Sequence, residues 1–196
     1  MSSRPYPPPA CAYRSRATGS APALHDVGLA AWFGGTLANA VALNPAAAEA
    51  DTAAGTGRVA NTGWNKWTPV NAVAIGAHLA GSVGELIGNR SRLAAQQGVG
   101  TMALTKTGLT AAALAATGYS RLLGRKVNRD TSVPALSGTE SAVSTPEDVS
   151  KAQRRLSTMQ WVVPALTGAL IVVSSLAGEQ QRPSSVKKGI LARFTG

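Results

Sequence analysis

The chain has 196 residues, enough for one domain or one helical bundle with tails, and it carries a net charge of +10 although only 14% of its residues are charged. A single cysteine, Cys11, excludes an internal disulfide, and no spacing of Cys and His resembles a metal site. The basic excess is spread over tails and loops beside apolar segments, where it suits anionic headgroups, so no nucleic-acid partner is expected.

Residues 1–23 are rich in Pro, Ser and Arg, hold no apolar run and read as a disordered basic tail. Val27 to Leu43, VGLAAWFGGTLANAVAL, is uncharged and stops at Asn44-Pro45, where the proline disfavours helix at the residue before it. A first membrane span is therefore expected over 27–43. Its Ala31 and Gly35 are spaced so that a neighbouring backbone can approach closely. Pro45 to Gly63 reads as a polar, Ala-rich connection, and Trp64, Lys66 and Trp67 after it read as an interfacial anchor, two indoles and an ammonium at headgroup depth.

Thr68 to Gly88 predicts a second span over 68–88, with Pro69 near the helix start, where its missing N–H costs nothing. Gly84 and Gly88 form a GxxxG step, and Gly76, Ala77, Ala80 and Gly81 extend the small face, which points to a helix packed at the centre of a bundle. A third helix is expected over 99–121. Lys106 interrupts it, so it crosses a bilayer only if Lys106 faces the bundle or snorkels, with Tyr119 at the far interface. If it does not cross, three spans remain.

Residues 124–158 read as an exposed polar loop, with a short helix starting near Pro146 that runs into the last span. That span, 159–178, is the clearest membrane signal of the chain. It is uncharged, lies between Lys151, Arg154 and Arg155 on one side and Glu179 and Arg182 on the other, and matches a ~30 Å hydrocarbon core. Residues 179–196 form a basic tail in which Val186 to Phe194 has the pattern of a surface-lying amphipathic segment.

The expected fold class is thus all-α, an integral membrane bundle of four helices over 24–178. Lys and Arg divide equally between the two sides, so charge does not orient the bundle; an even number of spans favours a cell-membrane protein with both termini cytoplasmic. Trp64, Trp67, Tyr119 and Trp161 fall at one end of it.

Ionisable residues within apolar segments are the candidates for function. His78 and Glu85 lie two turns apart on one helix face, and Lys106 stands on the next segment, within reach of Glu85 across the turn. An ion pair there would set helix register; a ligand or proton site is the alternative use of the three. With His25 taken to lie at an interface, imidazoles and carboxylates are too few for haem or di-iron, and no cofactor is expected. The leading expectation is a non-enzymatic structural or accessory component of a membrane assembly, with the lipid bilayer and a second copy or another membrane protein as partners. The rival is a small-molecule carrier or membrane oxidoreductase using His78, Glu85 and Lys106.

The stretch from His25 through Trp32-Phe33-Gly34-Gly35, followed by Asn44-Pro45, resembles the first helix of small four-helix bacterial membrane families, and more loosely the anthrone-oxygenase-like membrane proteins. The resemblance implies a four-helix membrane bundle and assigns no active-site residue.

Overall fold

A computed structural model describes residues 11–90, 99–129 and 133–179. Four long helices carry the fold: α1 (Cys11–Ala38), α2 (Ala53–Gly88), α3 (Val99–Val127) and α4 (Glu147–Glu179). Among the described residues no strand forms; there is one isolated bridge, between Ala135 and Ser141. α1 packs on α2, α3 on α4, and α1 also on α4, whereas α2 and α3 are not closely packed on each other. Three helical stretches, Ser20–Glu49, Ala53–Gly88 and Glu147–Glu179, are long and apolar enough to cross a membrane. α3 is helical over the expected 99–121 and beyond but is not among these three.

Helix ends depart from expectation in three places, each for a packing reason. α1 begins at Cys11, so 11–23, expected as part of the disordered tail, is helical, and Ala21 is buried where the α2 glycines Gly81 and Gly84 leave room for it. Nor does the first helix stop at Asn44-Pro45. Asn39–Leu43 winds as a π-turn, in which the Asn44 N–H donates to the Asn39 carbonyl, and Asn44 keeps right-handed helical angles, φ −65° and ψ −45°. The wider turn lies just before Pro45, where an α-turn would set the ring against the carbonyl four residues back. Helix then continues through Asn44–Ala46 and Ala47–Glu49.

The supposed connection from Pro45 to Gly63 is correspondingly short. α2 starts at Ala53, capped by Thr52, whose hydroxyl oxygen accepts from the Gly55 N–H at 3.0 Å, and Pro69 stands well inside the helix rather than at its start. This early part of α2 is held from both sides: Gly57 lies against the Val133 carbonyl and Gly63 against the Leu43 side chain.

Much of the loop expected to be exposed folds over this end of the bundle. Val133, Ala135, Thr139 and Thr145 are buried. The Ala135 N–H donates to the Ala53 carbonyl at 3.0 Å and the Gly138 N–H to the Asn44 carbonyl at 3.1 Å. The Thr145 hydroxyl donates to the Pro134 carbonyl at 2.6 Å instead of capping α4. Glu147 and Asp148 occupy the first turn of α4, which then runs unbroken from the loop into the 159–178 segment, as the sequence suggested. Residues 180–196, including the Val186 to Phe194 pattern, lie outside the described residues, as do 1–10.

The interior is built from small residues. One apolar cluster joins Leu123, Val127, Val133, Val149 and Ala152 at the loop end; a second joins Trp32, Ala74, Ala113 and Val163 farther along, with Ala31 packed against it. The closest helix contact is between α1 and α2. A Cβ on Gly28 would overlap the His78 backbone nitrogen, and one on Gly81 would overlap the His25 backbone nitrogen. Gly35 makes room for the Trp67 ring, and a Cβ on Gly84 would come within 2.6 Å of the Ala21 Cβ. Gly88, the other half of the expected GxxxG step, is exposed at the end of α2; the step of close approach is shifted to Gly81 and Gly84. Replacing Gly81 by Leu should destabilise the purified protein by about 3 kcal/mol, because backbone cannot yield as a side chain does. Gly76→Leu, where a new Cβ meets nothing within 4 Å, should cost less than about 0.5 kcal/mol in the same thermal melts.

Candidate functional site

The α1–α2 crossing brings together two histidines. His25 and His78 are both fully buried, and their ring centroids are 4.5 Å apart at an interplanar angle of 49°. Trp32 closes the group, its ring centroid 6.1 Å from that of His78 and its Nε1–H donating to the Thr117 hydroxyl at 3.2 Å. His78 Nδ1 lies 3.4 Å from the His25 carbonyl and Nε2 lies 3.4 Å from the Thr110 hydroxyl. The neutral Nδ1–H tautomer makes both bonds, donating to the carbonyl and accepting from the hydroxyl. His25 Nδ1 is 2.8 Å from Asp26 Oδ1, while its Nε2 is buried without a protein partner.

His25, expected at an interface, is instead fully buried against His78, and the reason lies in its spacing. His25 precedes Gly28 by three residues, and His78 precedes Gly81 by three. Each glycine lies one helical turn beyond its own histidine and against the backbone of the other, so the two His-x-x-Gly steps seat each other. That repeated step is the signal in the sequence that would have found His25.

Lys106 Nζ lies 2.9 Å from Glu85 Oε2, and the two side chains are 19% and 22% exposed. The pair ties the end of α2 to the start of α3. His78, on the same helix as Glu85, hydrogen-bonds to neither of the pair, so the three candidate residues fall into two separate groups. Among the described residues no three His, Cys, Asp or Glu side chains are grouped to hold a metal ion.

The four aromatic residues also divide. Tyr119 and Trp161 are 39% and 51% exposed, and the Tyr119 hydroxyl accepts from Arg155 Nη1 at 3.2 Å. Trp64 and Trp67 turn into the bundle instead. Trp64 Nε1–H donates to Asn44 Oδ1 at 2.9 Å, and Asn44 Nδ2–H donates to Gln160 Oε1 at 2.8 Å, joining the first helix, α2 and α4. Trp67 lies on Gly35, and its Nε1 is buried without a partner. Indoles beside a lysine match a headgroup anchor in composition, but Gly35 on α1 admits the Trp67 ring and Asn44 holds the Trp64 N–H.

Both indoles line a cavity of about 270 Å³ bounded by α2, α3 and α4. Thr36, Asn61, Asn71 and Arg121 share its wall. None of these four is prominent in the sequence, because a single amide or hydroxyl in an Ala-rich helix has no periodic signature.

The Glu85–Lys106 pair can be weighed by a double-mutant cycle. Glu85→Gln and Lys106→Met should each lower stability by about 1–3 kcal/mol by stranding the partner charge, and the double substitution should recover most of the loss. Additive losses in thermal melts would mean that the pair holds nothing. No family model matches this chain, and neither a curated protein nor a solved structure matches it.

Proposed function

We propose that the protein is an integral, multi-pass membrane protein in which all four helices cross the bilayer, and that it serves as a non-enzymatic structural or accessory component of a membrane assembly. The observation that carries this reading is the outer surface. From Trp67 to Gly88 on α2, from Thr101 to Leu122 on α3 and from Leu156 to Gly178 on α4, no exposed residue is charged. Each stretch of about 22 residues rises ~33 Å at 1.5 Å per residue, the thickness of a hydrocarbon core. Large apolar side chains stand outward on it, including Val73 at 73% and Leu104 at 76% exposure.

α3 belongs in this belt even though its average hydropathy is low. The cations that lower it within the stretch are Lys106, paired with Glu85, and Arg121, on the cavity wall, while its outer face carries Thr101, Leu104, Gly108, Ala111, Ala115 and Leu122. Charge facing inward is the arrangement lipid requires.

The interior ionisable groups bind helix to helix, which supports a structural role. The rival, a carrier or membrane oxidoreductase acting through His78, Glu85 and Lys106, draws less support because His78 bonds to His25 and Thr110 rather than to the ion pair. Both termini are proposed to be cytoplasmic in the cell membrane, with the bilayer and a second membrane-protein chain or copy as partners.

Alkaline carbonate extraction tests the class: the protein should stay with the membrane pellet, and release into the supernatant would overturn the reading. The number of spans is tested in a Cys11→Ser background carrying Arg90→Cys or Asn128→Cys. An impermeant maleimide should reach the two positions from opposite sides of the membrane. Labelling of both from one side would remove α3 from the set of spans.

A further inference from the structure

The cavity bounded by α2, α3 and α4 is polar in a particular way. Asn61 Nδ2 and Trp67 Nε1, both donors, and Asn71 Oδ1, an acceptor, are buried with no hydrogen-bond partner in the protein, and all three residues line this space. Buried polar groups are almost always satisfied, so three around one cavity mark a place shaped for something that hydrogen-bonds. Arg121 adds the only charge on its lining, and no carboxylate among the described residues forms an ion pair with it. Ile75, Leu156 and Val163 give it apolar surface beside the indoles, and Thr36, Thr68 and Thr117 add hydroxyls to the wall.

A guanidinium and N–H donors with no acid nearby select an oxyanion, carboxylate or phosphate, which only accepts. Indoles and aliphatic side chains select a hydrocarbon or aromatic body. At about 270 Å³ the space sits near the lower end of small-molecule sites and suits a single-chain ligand rather than a two-chain lipid. The geometry points to a binding site for a small anionic amphiphile, an oxyanion head on one apolar body, with Arg121, Asn61 and Trp67 donating to the head. Asn71 accepts from a hydroxyl on the ligand or from its hydration. The proposal rests on the membrane reading and extends it by giving the accessory component a ligand.

The test uses the full chain in lipid nanodiscs, with octanoate, octyl phosphate, octanol and acetate as probes and indole fluorescence as the readout. Octanoate or octyl phosphate should bind at least tenfold more tightly than octanol, which lacks the charge, and than acetate, which lacks the chain. Their ratio tells a carboxylate head from a phosphate head. Arg121→Gln should weaken the anionic probes at least tenfold and leave octanol unchanged, Arg121→Lys should recover part of the loss, and Trp67→Phe should weaken them several-fold. Partition into lipid is common to all variants and cancels in the comparison. Wild-type affinity in Arg121→Gln, or equal binding of octanol and octanoate, would overturn the site; a variant that loses octanol equally has lost the cavity and counts against it as well. Carbonate extraction is indifferent to all of these outcomes, so failure here is distinguishable from failure of the membrane reading.

Discussion

The contact on which the rest depends is the backbone-to-backbone approach of α1 and α2 at Gly28 and Gly81. With no Cβ on either residue the two helix axes come close enough that each glycine rests on the other helix's histidine backbone, and the two imidazoles are pressed together between them. Such contacts are the natural currency of a bundle poor in large side chains. Buried hydrophobic residues here are mostly Ala and Val, so close approach and dispersion must supply what interdigitating Leu and Phe supply elsewhere.

On either side of that crossing the bundle is held by different means. Toward the end of α2 the Glu85–Lys106 pair and the His78–Thr110 contact hold α3 beside it. Toward the start of α2, Trp64 and Trp67 line a cavity whose wall also carries the amides of Asn61 and Asn71. The folded loop from Val133 to Thr145 seals that end through backbone bonds to Asn44 and Ala53. One end is therefore tied by charge and the other by hydrogen bonds, and the polar space lies on the hydrogen-bonded side. In the proposed bilayer this division matters, since interior polar groups can be satisfied only by one another, by water in the cavity or by a ligand.

Asp26 is the exception on the outer surface, its side chain 71% exposed beside the Gly81 crossing and held by the buried His25. It is the one acid that the crossing brings to the outer surface of α1, because its neighbour is the residue that must face inward.

What residue order determined by itself was the set of helices and the reach of their side chains. The uncharged 159–178 segment and its continuity with the helix from Glu147 were legible because acids in the first turn and an unbroken apolar run leave no reason to stop. Glu85 and Lys106 were legible as neighbours because a short turn between helices puts residues counted back and forward from it at matching heights. Direction was not legible. A helix that is Ala- and Gly-rich on every face has no amphipathic stripe, so its sequence does not say which side meets a neighbour. Only the tertiary structure could decide that His25 goes inward, that Trp64 and Trp67 point into the bundle rather than to its rim, and that α1 and α2 extend through segments whose composition alone predicts tail and loop. In each case the deciding term is the contact with another helix, an energy that appears once two surfaces are brought together and that no single segment contains.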